Sequence, residues 1–290
     1  MVKRVLAISG GVDSMVMLDI LVRNFKKDSI IVAHFDHGTR ESSKLDAQFV
    51  RKKAAEYGVN FTTEGTELGG KISEEKAREA RYDFLRRIAG KNGIIYTAHH
   101  LDDLLETILI NLIRGTGWRG LAVLNADGIQ RPLLDSEIVY EPMDKQAIFE
   151  YAAKRRLEFR EDPTNSSDQY LRNRIREQFN ESEIEFERKL EIWQLWQKQK
   201  KLKTIVNQGC VEILPAPGQA WERKWFENLD QNVAIELLRA GTLRAGSRLT
   251  RPQLEDFRKA ILSYNAGKRF NLPGDRLVRF SRKDFKLEDV

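Results

Sequence analysis

Two hydrophobic rhythms alternate along the first hundred residues. Short apolar runs at 4–8, 30–35, 59–63 and 93–98 read as strands. The first, Val5-Leu6-Ala7-Ile8, is apolar at every position, as in a strand covered on both faces. Between these runs, 14–26, 43–57 and 73–90 have helical length and spacing. The alternation predicts an α/β fold with a doubly wound, mainly parallel sheet. Ligands of such sheets sit at the carboxyl ends of the strands. Polar clusters at Ser9–Ser14, His34–Arg40 and His99–Asp103 fall in those loops, so the topology gathers them into one site.

Beyond Gly115 the pattern loosens as far as Asn173, with one helix expected over 143–157. A long helix is predicted over 181–206, where aromatic and aliphatic residues recur among many charges. Past Pro215-Ala216-Pro217-Gly218 the composition shifts. Helices near 228–240 and 250–264 precede 267–275, which reads as a strand with a hairpin turn. The expected organisation is a first domain over 1–180, a linker helix over 181–206 and a smaller α+β domain over 207–290.

Chemistry concentrates at the first strand–helix junction, Ser9-Gly10-Gly11-Val12-Asp13-Ser14. Paired glycines let the backbone approach an anion, and the first-turn N–H groups of a helix lack internal partners. The Ser9 and Ser14 hydroxyls add donors. Asp13 would repel phosphate, which implies a divalent cation, Mg²⁺, between the two. The spacing is neither Walker A, which needs a lysine, nor the dinucleotide glycine fingerprint.

His99-His100-Leu101-Asp102-Asp103-Leu104-Leu105-Glu106-Thr107 opens another helix. Leu101, Leu104, Leu105, Ile108, Leu109, Leu112 and Ile113 form its expected buried stripe. Asp103 and Glu106, three apart, share a face roughly opposite that stripe. Such a pair suits a metal or the amine of a cationic substrate; Asp102 reads equally as a solvated acid near a helix start. His99 and His100 can donate to a phosphate or adenylate oxygen, or can cap the helix.

Charge points to a partner. The chain carries 49 Lys/Arg against 43 Asp/Glu, a net of +6. Residues 239–290 alone hold 13 Lys/Arg and 6 Asp/Glu, more than the whole excess, which favours RNA or DNA. No run of about 18 apolar residues suggests a membrane span. The start runs directly into the first strand, so a cytoplasmic location is expected. The single Cys210 excludes an internal disulfide and a cysteine-rich zinc site.

The 9–14 loop resembles the SGGxDS pyrophosphate loop of the ATP pyrophosphatase (PP-loop) superfamily, whose members split ATP between the α and β phosphates. More segments narrow the likeness: HFDHGTR at 34–40, EKAREARYDFL at 75–85, HHLDDLLET at 99–107, RGTGWRGL at 114–121, RPLL at 131–134, DPTN at 162–165 and RNRIR at 172–176. In that order they resemble the tRNA(Ile)-lysidine synthase family over about residues 4–176. The RFNLPGD stretch extends the likeness more loosely.

The resemblance implies that ATP and Mg²⁺ adenylate O2 of the wobble cytidine in a tRNA(Ile) with a CAU anticodon. The ε-amine of L-lysine would then attack C2. It places Asp13, Asp36, His99, Asp103 and Glu106 in catalysis, with Asp13 on Mg²⁺. Ser9, Gly10, Gly11, Val12, Asp13, Ser14, His34 and Arg78 would bind ATP. Asp103, Glu106 and Arg172 would bind lysine; Arg114, Arg119, Arg174, Arg176, Arg269, Arg276 and Arg279 would bind tRNA. No membrane is implied, and a homodimer is allowed. Two departures stand out: Leu104 replaces a glutamine common in the family, and a second C-terminal domain of longer members is not expected here. A related tRNA thiolase would need more cysteines. A small-molecule amidating ligase would not need the basic tail. A catalytically silent RNA-binding module would not need the intact 9–14 loop.

Overall fold

A computed structural model describes residues 2–36, 43–65, 74–160 and 184–289. The chain divides into two compact units, 1–199 and 200–290.

The first unit is built on a five-stranded sheet, all pairs parallel, in the order β3-β2-β1-β4-β5. Its strands are β1 (Arg4–Ala7), β2 (Ile30–Asp36), β3 (Asn60–Gly65), β4 (Ile94–Tyr96) and β5 (Ile129–Gln130). Between them run α1 (Val12–Asn24), α2 (Ser43–Tyr57), α3 (Glu74–Ala89) and α4 (Leu101–Ile113), with α5 (Lys145–Arg155) after the last strand.

The two-residue period of the strands sorts side chains to opposite faces. Leu6, Ile8, Ile30, Val32 and Tyr96 pack with α1, α2 and α5, through Leu18, Val50 and Ile148 among others. Val5, Ala33, Phe35 and Ile95 pack on the other face against Tyr82, Phe84 and Leu85 of α3. The sheet is therefore covered on both sides, as the run at 5–8 predicted. The two-residue β5 carries too little apolar pattern to have been read from sequence.

Buried Asp19 ties three helices on one face. Its carboxylate accepts hydrogen bonds from Tyr57 Oη (2.9 Å), Tyr151 Oη (2.8 Å) and Arg23 Nε (2.8 Å). Arg155 Nε lies 3.4 Å away. Burial first, then the Asp19 carboxylate, pushes the Tyr151 hydroxyl up to about 12.

Two expectations need correction. The α4 stripe is not buried throughout: Leu112 and Ile113 are 51% and 58% exposed, and Glu106 takes a buried place at 5%. Burial thus runs from Leu101 to Ile110 and fails only in the last turn; Leu101 and Leu104 pack with Leu134 and Trp196. Leu104 is fully buried, so the family's usual glutamine would have met an apolar wall here. The long helix, α6, spans Phe186–Ile213 rather than ending at 206. A lone Gly209 weakens a helix without ending it, and the chain leaves only at Leu214-Pro215.

The second unit holds a four-stranded sheet in the order β6-β9-β8-β7: β6 (Trp221–Glu222), β7 (Arg269–Leu272), β8 (Arg276–Phe280) and β9 (Asp284–Asp289). All its pairs are antiparallel. Helices α7 (Arg223–Glu227), α8 (Gln231–Arg244) and α9 (Arg251–Ser263) complete it. Its core joins Trp221, Phe226, Phe257, Phe280 and Phe285 with Cys210, which is buried. No helix among the described residues is long and apolar enough to cross a membrane.

Replacing Asp19 with alanine strands two tyrosine hydroxyls and two guanidinium groups at once. Asp19→Ala should lower the unfolding free energy by roughly 3 kcal/mol. Urea denaturation followed by circular dichroism measures it, and a loss under about 1 kcal/mol would show that the network is not a net stabiliser.

Candidate active site

The chain leaves β1 and starts α1 within four residues, and Gly10 makes this possible. Its φ of +99° lies in the left-handed region that side chains rarely adopt. Phe49 and Val50 also lie within 3.5 Å of where a Cβ would sit. Gly11 then serves as the N-cap of α1. The turn is held from within: Ser14 Oγ accepts from Gly10 N–H (3.1 Å) and donates to the Gly11 carbonyl (2.9 Å). Ser9 Oγ accepts from Gly11 N–H at 3.3 Å. The Gly10 carbonyl accepts from Arg160 N–H at 3.0 Å, so the segment after α5 braces the loop from outside.

A cavity of about 290 Å³ opens beside this turn, at the carboxyl ends of the central strands. Its walls include Ser9, Asp13, Ser14, Arg81, His99 and Asp103. Two loops separated by some ninety residues of sequence are thereby brought together, as the topology predicted.

Two charged residues stand out here that sequence reading missed. Lys145, the first residue of α5, places Nζ 2.6 Å from Asp13 Oδ1. Its backbone N–H donates to Asp102 Oδ2 at 2.8 Å, and its ammonium lies 5.2 Å from the Phe149 ring centroid. Arg81 lines the cavity where Arg78 was expected. The signal for Arg81 was present: it lies three residues from Arg78 on the same helix and so shares its face. Lys145 had no such signal, because 132 residues separate it from Asp13.

The remaining predicted residues are distributed as follows. His34 is buried and its Nδ1 lies 2.9 Å from the Ile8 carbonyl. A carbonyl only accepts, so Nδ1 is the donor in this contact. Asp36 ends β2. His100 is the N-cap of α4, and Asp103 Oδ2 accepts from its N–H at 3.1 Å. The capping reading therefore holds for His100. Asp102 is not a solvated acid: Lys189 Nζ lies 2.8 Å from its Oδ1. Arg114 is exposed, and Arg119 stacks over the Trp118 ring at 4.7 Å. Arg172, Arg174 and Arg176 lie outside the described residues.

His99 sits in a strongly biased field. Burial pushes its ring down to about 4, with Arg131, Arg78 and Arg81 adding to the fall and Asp103 opposing it. Three guanidinium groups therefore act on the His99 side of the site. Burial also lowers the pKa of Arg131, whose side chain is nearly enclosed. At neutral pH His99 is an uncharged imidazole beside a cationic wall. Thr97 Oγ1, 2.9 Å from its Nδ1, can fix its tautomer.

Asp13 suits one part of a metal site. Its carboxylate lines the cavity, is 32% exposed, and shares one oxygen with Lys145. Mg²⁺ is commonly held by one or two carboxylates together with substrate phosphates, which this arrangement fits. Among the described residues no group of three His, Cys, Asp or Glu is placed to hold a metal by itself.

A glycine turn opening a helix at the carboxyl edge of a 3-2-1-4-5 parallel sheet defines a phosphate-cradling α/β domain. The PP-loop domain family matches residues 2–183, and the chain belongs to that family. Among curated proteins it is 42% identical over 183 residues to a tRNA(Ile)-lysidine synthase from Thermotoga maritima, covering 59% of this chain and 42% of that protein. It is 35% identical over 182 residues to one from Enterococcus faecalis, covering 60% and 39%. A third, from Bdellovibrio bacteriovorus, is 37% identical over 187 residues, covering 62% and 57%. The matched stretch thus spans between about two-fifths and three-fifths of these relatives. Among solved structures, the U34-tRNA thiolase NcsA from Methanococcus maripaludis aligns with a TM-score of 0.51 at 18% identity. That alignment covers 69% of this chain and 72% of the thiolase, a likeness of fold.

The His99 field has a direct readout. Its folded value lies below the ordinary 6.5, so the unfolded chain binds the extra proton first. The stability tied to this ring is complete above pH 6.5 and falls as pH drops from there towards 4. An NMR titration should place the His99 midpoint near 4, and Asp103→Asn should lower it further by removing an opposing charge. A midpoint near 6.5 would contradict the burial and the cationic wall.

Proposed function

We propose that this chain ligates L-lysine to C2 of the wobble cytidine of a tRNA(Ile) with a CAU anticodon, consuming ATP and releasing AMP and pyrophosphate. The observation that carries the reading is the shared cavity: the Ser9–Ser14 turn on one wall, His99 and Asp103 on another. The similarity to tRNA(Ile)-lysidine synthases over about 60% of this chain supports the substrate assignment.

In this reading the 9–14 turn binds the phosphates of ATP. Gly10 and Gly11 keep the backbone close, and the first-turn amides of α1 face the anion. Lys145 is a second phosphate contact, held ready on Asp13. Asp13 would hold Mg²⁺, which would supply positive charge against the departing pyrophosphate. Arg78 and Arg81 provide fixed positive charge on the α3 side, where negative charge develops as the α–β bond breaks. His34 and Asp36, at the end of β2, complete the nucleotide side.

The neutral His99 ring can accept a proton from the attacking amine or donate a hydrogen bond to the adenylate oxygen. Asp103, which lines the cavity, and Glu106, buried three residues further along α4, bind the lysine cation. Arg172 joins them, and Arg114, Arg119, Arg174 and Arg176 meet the tRNA. Arg269, Arg276 and Arg279 in the basic C-terminal segment dock it elsewhere. The domain roles follow: chemistry in the PP-loop domain over 1–180, a linker in α6 (Phe186–Ile213) and tRNA docking in the segment after it.

Mass analysis of tRNA nucleosides after incubation with ATP and lysine tests the reaction, lysidine being the expected product. Lys145→Gln and Asp13→Asn should each keep the fold and lower lysidine formation by two or more orders of magnitude, as loss of pre-aligned charge does. Near-normal turnover by either folded variant would remove that residue from the phosphate site.

The carboxylates are separable from this. Asp103→Asn and Glu106→Gln should raise the apparent KM for lysine about tenfold to a hundredfold, since a charge-assisted contact is worth ~1.5–3 kcal/mol. The KM for ATP should change little. If ATP dependence moved and lysine dependence did not, these carboxylates would serve the nucleotide instead.

A further inference from the structure

The second unit contains a cavity of its own, of about 250 Å³, distinct from the PP-loop site. It lies where the last turn of α8, the end of β7, the start of β8 and the segment before β6 meet. The floor is apolar, with Trp221, Leu272 and Leu287. The rim carries the Arg244 and Arg276 side chains.

Two glycines shape this slot. A Cβ on Gly241 would fall inside the Trp221 ring, 1.9 Å from its Cη2, so the indole lies directly on bare helix backbone. A Cβ on Gly246 would meet the Arg276 guanidinium at 3.2 Å, so this fork also rests on backbone. Arg244 is anchored too, through Nη2, which donates to the Pro215 carbonyl. Two guanidinium groups are thus pre-positioned at the mouth of an apolar slot. One carboxylate, Glu288, also lines it, but Arg279 Nε engages that group at 3.1 Å.

Planar guanidinium forks match phosphate oxygens. The buried Trp221 ring, stacked on Phe226 and on the Gly241 backbone, fixes an apolar floor against which a sugar or base edge can rest. The surrounding segment holds the chain's whole excess of positive charge, which draws a polyanion to this unit. We infer that the Trp221–Arg244–Arg276 slot is a nucleotide-binding pocket that takes one residue of an RNA strand, its phosphate on the two arginines. This rests on the tRNA reading above and sharpens it. Arg276 becomes part of a formed pocket with Arg244 and Trp221, instead of one charge among many on a basic strand.

Filter binding of a tRNA transcript across a salt series tests this. Arg276→Gln and Arg244→Gln should each weaken binding five- to tenfold and flatten the salt dependence by about one counterion. Lys259→Gln, which removes an equal charge from the exposed face of α9, should change binding less than twofold. ATP affinity should be unchanged in all three. Arg276→Lys should keep the salt slope but lose affinity, because it retains charge and loses the fork.

Crosslinking the wild-type chain to 4-thiouridine-containing tRNA provides a readout that does not depend on a variant folding. The adducts should map to peptides around Trp221 and Leu272. Equal losses in Lys259→Gln and Arg276→Gln would mean a diffuse field, and adducts confined to other segments would place docking elsewhere; either overturns the pocket. Failure of the wild-type chain to bind tRNA at all would instead overturn the tRNA reading on which the pocket rests.

Discussion

The site depends on one backbone constraint: the chain must turn from a buried strand into a helix over Ile8–Val12 without filling the space the turn encloses. Gly10 meets it with a left-handed conformation, and the paired serines satisfy the polar groups of the turn. Everything else is fitted around that junction. The Arg160 amide closes on the Gly10 carbonyl, and Lys145 closes on Asp13. Helix α5 is in turn fixed beneath by Tyr151 on Asp19 and by Ile148 in the core. The turn is therefore assembled by tertiary packing, although its signature is six consecutive residues.

That difference explains what could be read from the chain alone. Strand and helix periods in the first hundred residues reflect local burial, and the four strands they predict form the sheet together with the short β5, which they do not announce. The convergence of the 9–14 and 99–103 loops followed from topology. What escaped was long-range or irregular. Lys145 reaches Asp13 across 132 residues of sequence, with no pattern to announce it. The exposure of Leu112 and Ile113 and the burial of Glu106 depend on what α4 packs against, which its own period cannot reveal. In the second unit the strands β6 and β9 are polar or short enough to pass unnoticed, while the β7–β8 turn was legible from Pro273-Gly274-Asp275.

Charge is organised at two levels. Near the cavity single groups matter: burial and three arginines hold His99 neutral, while Asp13 carries a lysine partner before any ligand arrives. A site already balanced in this way can accept a multiply charged nucleotide by exchanging one ionic partner for another, with little net charge to bury. In the C-terminal segment the quantity that matters is the sum, which would draw a polyanion over distance in the proposed reading. The guanidinium groups of the proposed pocket would then turn that attraction into a specific contact.

If the Ser9–Asp13 turn acts as proposed, ATP serves as an adenylyl donor that releases pyrophosphate, and not as a phosphoryl donor. Phosphorus-31 NMR of ATP incubated with the protein, tRNA(Ile) transcript, lysine and Mg²⁺ separates the two directly. AMP and pyrophosphate should appear together, in equal amounts, and only when the tRNA is present. Accumulation of ADP and inorganic phosphate would contradict it.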